Sequence, residues 1–435
     1  MLILVALIGL GLLTETLGAA ASFAASLEEK QFAQAQKMLE TGEEWKFRPL
    51  ASKWIESPES KLKARWLELF VRFQLFYGHK PDVPKIEIAT QLAPRDAQIL
   101  ATYALTQLLE RHGRESIKAS DAALNLAPGD KRVVSIAKFC KFCYGGSSPP
   151  SSAEVLRLVN AAGMQLDTYC AAEHYFLLRY DRVNQREVWN TLVKNNPNSS
   201  YSYFRRGLFD RRTSDRDYGA NDFKKAIELS PASDEAARNL AQALFNARKY
   251  DECLKAYDRM ERMGMMFAEA LSQRGISNMQ LQRFDKAIVD FTRVLSMHGI
   301  SGTNIQQLKN AKAQPRTSQS MIYIWLCKRA DCYRELKQFE KALADLRFAT
   351  ILMPAELKSL ELKGKVHRDQ NKIDVAINDL NQLLKSRPQS PNYFRERAAL
   401  LYKINRKADA EKDIAEAKRI EATSPAAKII NAELQ

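Results

Sequence analysis

The chain has 435 residues and a mass of 49.4 kDa, more than one compact core usually holds, so we expect several domains or one elongated array. Apolar residues make up 46%, which excludes a disordered chain, and the scarcity of glycine (17) and proline (15) excludes collagen-like and low-complexity classes. The formal charge of +15 lies mostly in residues 201–435 and favours acidic partners or anionic surfaces.

The N-terminal 25 residues have the layout of a targeting segment. Residues 1–13, MLILVALIGLGLL, are apolar, Glu15 follows, and residues 18–25 are rich in small side chains. The apolar run is shorter than the roughly 20 residues of a membrane-spanning helix, and its order is typical of a secretory signal. No basic residue opens the segment, so an uncleaved anchor and a mis-assigned start codon stay open.

We therefore predict that residues 1–25 are a signal peptide or an N-terminal membrane anchor. The remaining chain is expected to be extracytoplasmic, whether secreted, periplasmic or anchored, with membrane association through residues 1–25.

A period of 34 residues organises the rest of the chain. Three pairs of prolines have this separation, each after a stretch of helical character: Pro94 and Pro128, Pro197 and Pro231, Pro354 and Pro388. Proline cannot continue a helix, so each of these residues is expected to end one. Such a period is the signature of a repeat architecture.

A second regularity lies between the prolines. In residues 323–354, Ala330 is a small residue at the eighth position, and Phe339, Ala342, Leu346 and Ala349 form one apolar stripe of a helix. The eighth position of the related segments holds Gly207, Ala241, Gly275, Gly364 and Ala398. We predict two antiparallel helices per unit, packed closely at the small residue, and stacking of each unit on its neighbours.

These residues resemble the tetratricopeptide repeat family: a small eighth residue, a small and aromatic set in the second helix, and a proline at position 32. Six units from 200 to 422 match well, and two units in 63–128 match moderately. Residues 132–197 hold two degenerate units, one with Glu173 where a small residue belongs. The resemblance implies an all-α fold, an α-solenoid in which antiparallel helix pairs form a right-handed superhelix.

Two irregular stretches divide the predicted array. They are YGGSSPPSS at 144–152 and the longer GISGTNIQQLKNAKAQPRTSQS at 299–320. We predict degenerate N-terminal hairpins at 26–143, a central array at 153–298, a basic insert or linker at 299–320, and a C-terminal array with a capping helix at 321–435.

The sequence contains no enzyme signature that we recognise. It has no phosphate-binding G-x-x-x-x-G-K-[ST] loop, no G-x-S-x-G elbow and no H-E-x-x-H motif. We therefore predict no catalytic activity, no cofactor and no small-molecule substrate.

One cysteine-histidine set has the spacing of a zinc site. Cys140, Cys143, Cys170 and His174 read C-x2-C-x26-C-x3-H and fall on adjacent units. Buried free thiols, or a disulfide through Cys170, explain the same residues. We predict no metal site and keep this set as the only candidate.

The first helix of each unit is expected to line a concave groove through its second, fifth, ninth and twelfth residues. This implied groove combines cations, aromatic rings and an amide: Tyr201, Phe204, Arg238, Gln242, Arg334, Lys358, Lys365 and Arg395. Such a wall suits a peptide with acidic side chains, although ordinary exposed helix charges explain it equally well. Some relatives grip a C-terminal carboxylate with a Lys, Asn, Asn, Lys, Arg set; here only Asn239 matches, so that mode is not predicted.

Two functional hypotheses follow. The first is a non-enzymatic scaffold that binds peptides or proteins, including acidic ones, on its concave face and organises an extracytoplasmic or membrane-associated complex. The alternative is a basic helical-repeat protein that binds nucleic acid or an anionic surface, because residues 291–330 contain six basic residues and no acid. Acids interleaved with the bases elsewhere, and the lack of a regular base-reading pattern, disfavour nucleic acid.

Overall fold

The computed structural model describes residues 26–39, 43–77, 79–144, 151–161, 166–177, 179–213 and 217–422. Residues 1–25, predicted as a signal peptide or anchor, lie outside these ranges, as do residues 423–435 of the predicted capping helix. Every regular element within the described ranges is a helix, which confirms the predicted all-α solenoid class. None of these helices combines the length and apolar character needed to cross a membrane.

The helices are numbered in chain order. The first thirteen are α1 (26–39), α2 (Glu44–Glu56), α3 (Lys63–Phe76), α4 (Val83–Leu92), α5 (Ala97–Leu109), α6 (Gly113–Leu126), α7 (Lys131–Tyr144), α8 (Ser152–Ala161), α9 (Leu166–Leu177), α10 (Arg182–Asn195), α11 (Ser200–Thr213), α12 (Ala220–Leu229) and α13 (Asp234–Asn246). The others are α14 (Tyr250–Arg262), α15 (Ala268–Gln280), α16 (Phe284–Met297), α17 (Ile305–Lys312), α18 (Arg316–Glu335), α19 (Phe339–Leu352), α20 (Lys358–Asp369), α21 (Ile373–Ser386), α22 (Pro391–Lys403) and α23 (Lys407–Ala422).

The chain divides into two compact units. The first comprises Met1–Lys249 and Asp258–Met265, and the second comprises Tyr250–Tyr257 and Met266–Gln435, so helix α14 contributes to both. This division falls inside the predicted central array, 153–298, and differs from the three predicted sub-arrays. Successive repeats bury similar apolar faces, so the repeat pattern alone does not locate such a boundary.

The six prolines that set the 34-residue period have the same structural place. Each directly follows the C-cap residue of a helix, namely α4, α6, α10, α12, α19 and α21. Proline lacks a backbone N–H and cannot continue the helical hydrogen-bond ladder, so it fixes where the helix ends.

Two eighth-position glycines show why that position is small. A Cβ added at Gly207 would lie 2.9 Å from the ring of Phe223, and one added at Gly275 would lie 2.9 Å from the ring of Phe291. Both rings belong to the second helix of the same repeat and are fully buried. The aromatic ring therefore occupies the space that a larger eighth residue would need.

A buried or partly buried ion pair joins the two helices in most of the C-terminal repeats. The seventh residue is an arginine whose guanidinium donates two hydrogen bonds to an aspartate sixteen residues later: Arg206–Asp222, Arg274–Asp290, Arg329–Asp345 and Arg397–Asp413. In the repeat that begins at residue 357, Lys363 and His367 contact Asp379 instead. Three of these arginines also donate to a polar side chain of the preceding second helix, at Asn190, Thr292 and Asn381.

The turn inside a repeat is also regular. Its fifteenth residue has a positive φ between 55° and 67° at Arg111, Tyr180, Arg248, Gln282, Lys337, Asn371 and Asn405. These residues are not glycines, so a shared tight turn rather than residue preference sets the conformation.

The segment predicted as a linker, residues 299–320, is largely helical in the structure. Helix α17 begins after Asn304, whose side chain accepts a hydrogen bond from the Gln307 N–H at 3.0 Å. Helix α18 begins at Arg316, directly after Pro315, and not near residue 321 as the repeat pattern predicts. The buried methyl of Ala311 anchors α17. The segment predicted as a basic insert or linker thus contains helices that do not follow the repeat pattern.

Candidate functional site

Two residues predicted to line the groove, Tyr201 and Phe204, are buried. Tyr201 is 3% exposed and its hydroxyl donates to the Phe76 carbonyl oxygen at 3.0 Å. The ring of Tyr77 lies 5.7 Å from the ring of Tyr201 and 5.1 Å from that of Phe204. The end of α3 therefore covers these two predicted groove residues, which pack against the chain itself.

The same contact includes a buried cation that the sequence analysis missed. Arg205 donates to the Leu75 carbonyl oxygen at 3.0 Å, to the Phe76 carbonyl oxygen, and to Glu173 at 2.7 Å. Carbonyl groups at a helix C-terminus have no partner within the helix and favour a positive charge. Glu173, at the small-residue position of a degenerate unit, also binds Arg212. The departure from the repeat pattern at Glu173 was the available signal for this contact.

The next predicted groove residues, Arg238 and Gln242, are partly exposed but engaged. Arg238 pairs with Glu235, whose carboxylate is 1% exposed and also lies 3.3 Å from the His79 ring nitrogen. The Gln242 side chain donates to Asn246 at 2.9 Å. In the first of the two compact units, the side chains predicted to line the groove thus interact mainly with other residues of the same chain.

Three predicted cations of the second unit form ion pairs. Arg334 binds Asp331 and Asp369, and only 14% of its side chain is exposed. Lys358 contacts Glu361 at 3.2 Å, and Arg395 donates to Glu421 at 2.6 Å. Lys358 and Arg395 remain half exposed, so their pairs are weak and exchange readily with solvent.

The eighth predicted residue, Lys365, lines a concave site between α20, α21 and α22, which we call the C-terminal pocket. It has a volume of about 370 Å³ and is lined by Glu361, Gly364, Lys365, Arg368, Leu380, Leu383, Glu396, Ala399, Leu400 and Lys403. Leucine side chains form its apolar lining, and charged side chains from two successive first helices surround them.

The electrostatics of the C-terminal pocket favour an anion. Within the described residues, Lys365 and Lys403 form no hydrogen bond or ion pair with the chain. Burial alone would raise the pKa of Glu361. Hydrogen bonds from the Tyr393 hydroxyl and the Lys358 ammonium stabilise its ionised form by more than that, so its pKa lies below the usual value. Glu361 is therefore an ionised carboxylate with hydrogen-bond partners of its own. The pocket lining holds two carboxylates, Glu361 and Glu396, against three cations, Lys365, Arg368 and Lys403, and this excess of positive charge favours a negatively charged ligand.

The cysteine-histidine set does not form a metal centre in the described residues. Cys140, Cys143 and Cys170 are free thiols, and no group of three or more His, Cys, Asp or Glu side chains in those ranges has an arrangement that could hold a metal ion. Burial raises the pKa of the Cys140 and Cys170 thiols to about 11, which disfavours the thiolate a metal needs. The Ser116 hydroxyl donates to Cys140 at 3.1 Å, and burial lowers the pKa of His174.

Stacked pairs of helices, a periodic proline and a pocket on successive first helices define a helical-repeat protein of the α-solenoid class. Residues 362–425, which include most of the C-terminal pocket, match the family model of the tetratricopeptide repeat. This match confirms the resemblance to the tetratricopeptide repeat for that part of the chain, and paired helices of the same kind occur along the other described residues.

Curated and solved proteins give more distant similarities. The chain is 23% identical over 202 residues to the Hsp70-Hsp90 organizing protein of Triticum aestivum; the match covers 44% of this chain and 30% of the length of that protein. A tetratricopeptide repeat protein from Parabacteroides merdae is 15% identical with a TM-score of 0.40, over 60% of this chain and 94% of that one. YrrB, described as a TPR protein with an unusual peptide-binding site, is 13% identical with a TM-score of 0.37, over 47% and 94% of the two chains.

Proposed function

We propose that this protein is a non-enzymatic scaffold that binds a peptide segment of a partner protein at the C-terminal pocket. The pocket is concave, its leucines offer apolar contact, and two lysines on its wall, Lys365 and Lys403, form no hydrogen bond or ion pair with any residue that the structure describes. The observation that carries the proposal is this pairing of apolar lining with unpaired cations. It favours a partner with acidic and apolar side chains.

The first unit contributes less open groove surface, because Tyr201 and Phe204 are covered by residues of the same chain. We therefore assign peptide binding to the second unit, where Lys358, Lys365 and Arg395 remain accessible from solvent. Three other predicted groove residues already bind side chains of the same chain, so we expect them to contribute less to peptide binding: Arg238, Gln242 and Arg334.

The location of this scaffold outside the cytoplasm, and its attachment to a membrane, are also part of the proposal. They rest on the apolar run of residues 1–13 and the small residues that follow. Fractionation of cells, with the mature N-terminus read by mass spectrometry, tests this part separately.

Binding of fluorescein-labelled twelve-residue peptides, measured by anisotropy with the full chain, tests the scaffold proposal. One peptide alternates Asp or Glu with Leu, and a second peptide replaces the acids with Lys. We expect saturable binding of the acidic peptide and a loss of at least tenfold in affinity in the double variant Lys365→Glu/Lys403→Glu, since two attractive contacts become repulsive.

Lys372→Glu/Lys418→Glu is the matched control, because it makes the same charge change at exposed lysines outside the pocket. The control is expected to bind like the wild type. If both double variants lost the same affinity for the acidic peptide, the net charge of the protein would explain the loss. That result would contradict the assignment of peptide binding to the pocket.

A further inference from the structure

The first unit contains a cavity of about 890 Å³ that no repeat pattern predicts. Its walls come from α1, α3, α7, α9, the loop at 196–199 with the adjoining ends of α10 and α11, and the end of α12. Leu69, Phe76 and Leu229 supply apolar surface, whereas Arg72 and Arg132 bring two guanidinium groups to the same wall. The chemistry of the cavity depends on how each of these charges is compensated.

Arg132 is fully compensated. Its Nε and Nη2 atoms each lie 3.0 Å from a carboxylate oxygen of Asp167. It also donates to the Thr102 hydroxyl at 2.7 Å and to the Gln98 side-chain oxygen at 2.8 Å. Asp167 and Arg132 therefore form a closed, bidentate pair that needs no further partner.

Arg72 is not compensated in this way. Its Nε atom is buried and donates no hydrogen bond, and the nearest carboxylate oxygen, Oε1 of Glu68, lies 3.6 Å away. That oxygen already accepts a hydrogen bond from Thr102 at 2.6 Å and lies 3.6 Å from Arg132. Burial, followed by the positive charge of Arg132, lowers the pKa of Arg72.

Other buried arginines in the described ranges show what is missing at Arg72. The Nε atom of Arg205 is also buried without a hydrogen-bond partner, but its Nη2 atom donates to Glu173 at 2.7 Å. Arg329 donates to both oxygens of Asp345. Arg72 differs from both in having no hydrogen-bonded carboxylate. The Arg72 side chain is 21% exposed and its guanidinium lies 5.3 Å from the centre of the Phe76 ring. A partly buried cation without a hydrogen-bonded anion carries a desolvation penalty, so a negatively charged ligand beside it would be stabilised.

Polar groups near Arg72 are also available. The side chains of Asn198 and Ser199 line the cavity, and neither forms a hydrogen bond within the described chain. An amide and a hydroxyl can donate to a second oxygen of an anion or to a neighbouring polar group of the same ligand. Leu69 and Phe76 would contact its apolar part.

We propose that this cavity binds a small anionic molecule whose carboxylate or phosphate group is held by the Arg72 guanidinium. The volume of about 890 Å³ admits a ligand the size of a small metabolite or larger. This site is separate from the C-terminal pocket and adds a small-molecule ligand, which the sequence does not predict.

Isothermal titration of the full chain with two probes, inorganic phosphate and succinate, tests the proposal at an ionic strength held constant with sodium chloride. At least one probe is expected to bind the wild-type protein saturably. Arg72→Met is expected to weaken that binding at least tenfold, and Arg72→Lys, which keeps the charge but not the planar fork, is expected to retain part of it.

The variant Arg72→Met loses the ion pair with Glu68 at 3.6 Å, but Glu68 keeps its hydrogen bond from Thr102 and its contact with Arg132, so the variant should fold. Circular dichroism checks this. Arg114→Met removes an exposed arginine of the same unit outside the cavity and should bind like the wild type.

The two probes distinguish the ligand class. Binding of phosphate alone indicates a phosphate ester, binding of succinate alone indicates a carboxylic acid, and binding of both indicates an anion site of broad selectivity. Absence of saturable binding by both probes, or equal binding by Arg72→Met and the wild type, overturns the proposal.

Discussion

The arginine-aspartate pairs of the repeats differ in exposure from other ion pairs on the same helices. Helices α22 and α23 carry both kinds: the side chains of Arg397 and Asp413 are 23% and 8% exposed, whereas those of Arg395 and Glu421 are 50% and 41% exposed. A pair removed from water depends on both partners, since the loss of one leaves a buried charge, while an exposed pair is screened by solvent.

Asp413→Asn is therefore expected to destabilise the C-terminal repeats by about 2 kcal/mol, because it leaves the partly buried guanidinium of Arg397 without its carboxylate. Urea unfolding followed by circular dichroism, with the variant compared to the wild type, measures the change.

Glu421→Gln is the matched control for this variant, since it neutralises the exposed partner of Arg395 on the same two helices. A change of less than about 0.5 kcal/mol is expected for it. Similar losses in both variants would show that burial does not set the strength of these pairs.

For single residues, the sequence indicates which side chains carry charge or aromatic rings, but it does not indicate which of them are buried. The seventh-position arginines and the aspartates sixteen residues later form a pattern that is visible in the sequence. That spacing alone does not show that the two side chains form an ion pair. The burial of Tyr201 could not be predicted, because it depends on a contact with Phe76, which lies 125 residues earlier in the chain.

At the level of helices, prolines mark where helices end and small residues mark where two helices pack closely. Both signals can be read from a short stretch of sequence. Pro231 and Pro354 end helices where the period predicts. Residues 299–320 lack the repeat spacing, so the sequence predicts a basic insert or linker there without indicating α17 or the first turns of α18. Hydrophobic periodicity identifies repeats more reliably than short inserted helices.

Gly275 and Gly364 occupy the same position in two repeats but face different neighbours. A Cβ at Gly275 would lie 2.9 Å from the Phe291 ring, whereas one at Gly364 would lie 3.5 Å from the Cβ atom of Asp379. The second distance is an ordinary van der Waals contact.

Gly275→Ala is expected to destabilise the second unit by about 1 to 2 kcal/mol through overpacking against Phe291. Gly364→Ala, its matched counterpart, is expected to stabilise by up to about 1 kcal/mol, because alanine favours the helix more than glycine. Thermal unfolding of both variants checks the opposite signs. A gain in stability for Gly275→Ala would show that Phe291 moves aside without cost.

For the molecule as a whole, the main departure from a simple stack of repeats is the contact between the end of α3 and helix α11 within the first unit. Neighbouring repeats account for most packing in a solenoid, and contacts across several repeats are not part of that pattern. Here Tyr201 donates to the Phe76 carbonyl and Arg205 donates to the Leu75 carbonyl, although seven helices, α4 to α10, lie between α3 and α11 in the chain. No repeat spacing encodes this contact, so the sequence could not predict it.

Arg205→Met is expected to weaken that contact. The variant removes the hydrogen bonds to the α3 carbonyls and leaves Glu173 with Arg212 alone, for a loss of about 3 kcal/mol of local stability. Hydrogen exchange followed by mass spectrometry should show faster exchange in residues 71–77 and 200–213, where the contact lies.

Lys194→Met, on α10, is the control, because it removes an exposed positive charge of the same unit without a partner at the contact. Its exchange should match the wild type in both segments. If Arg205→Met also left both segments unchanged, the aromatic contacts of Tyr77 with Tyr201 and Phe204 would suffice to hold α3 against α11. Burial of those two groove positions would then depend on apolar packing rather than on the Arg205 charge.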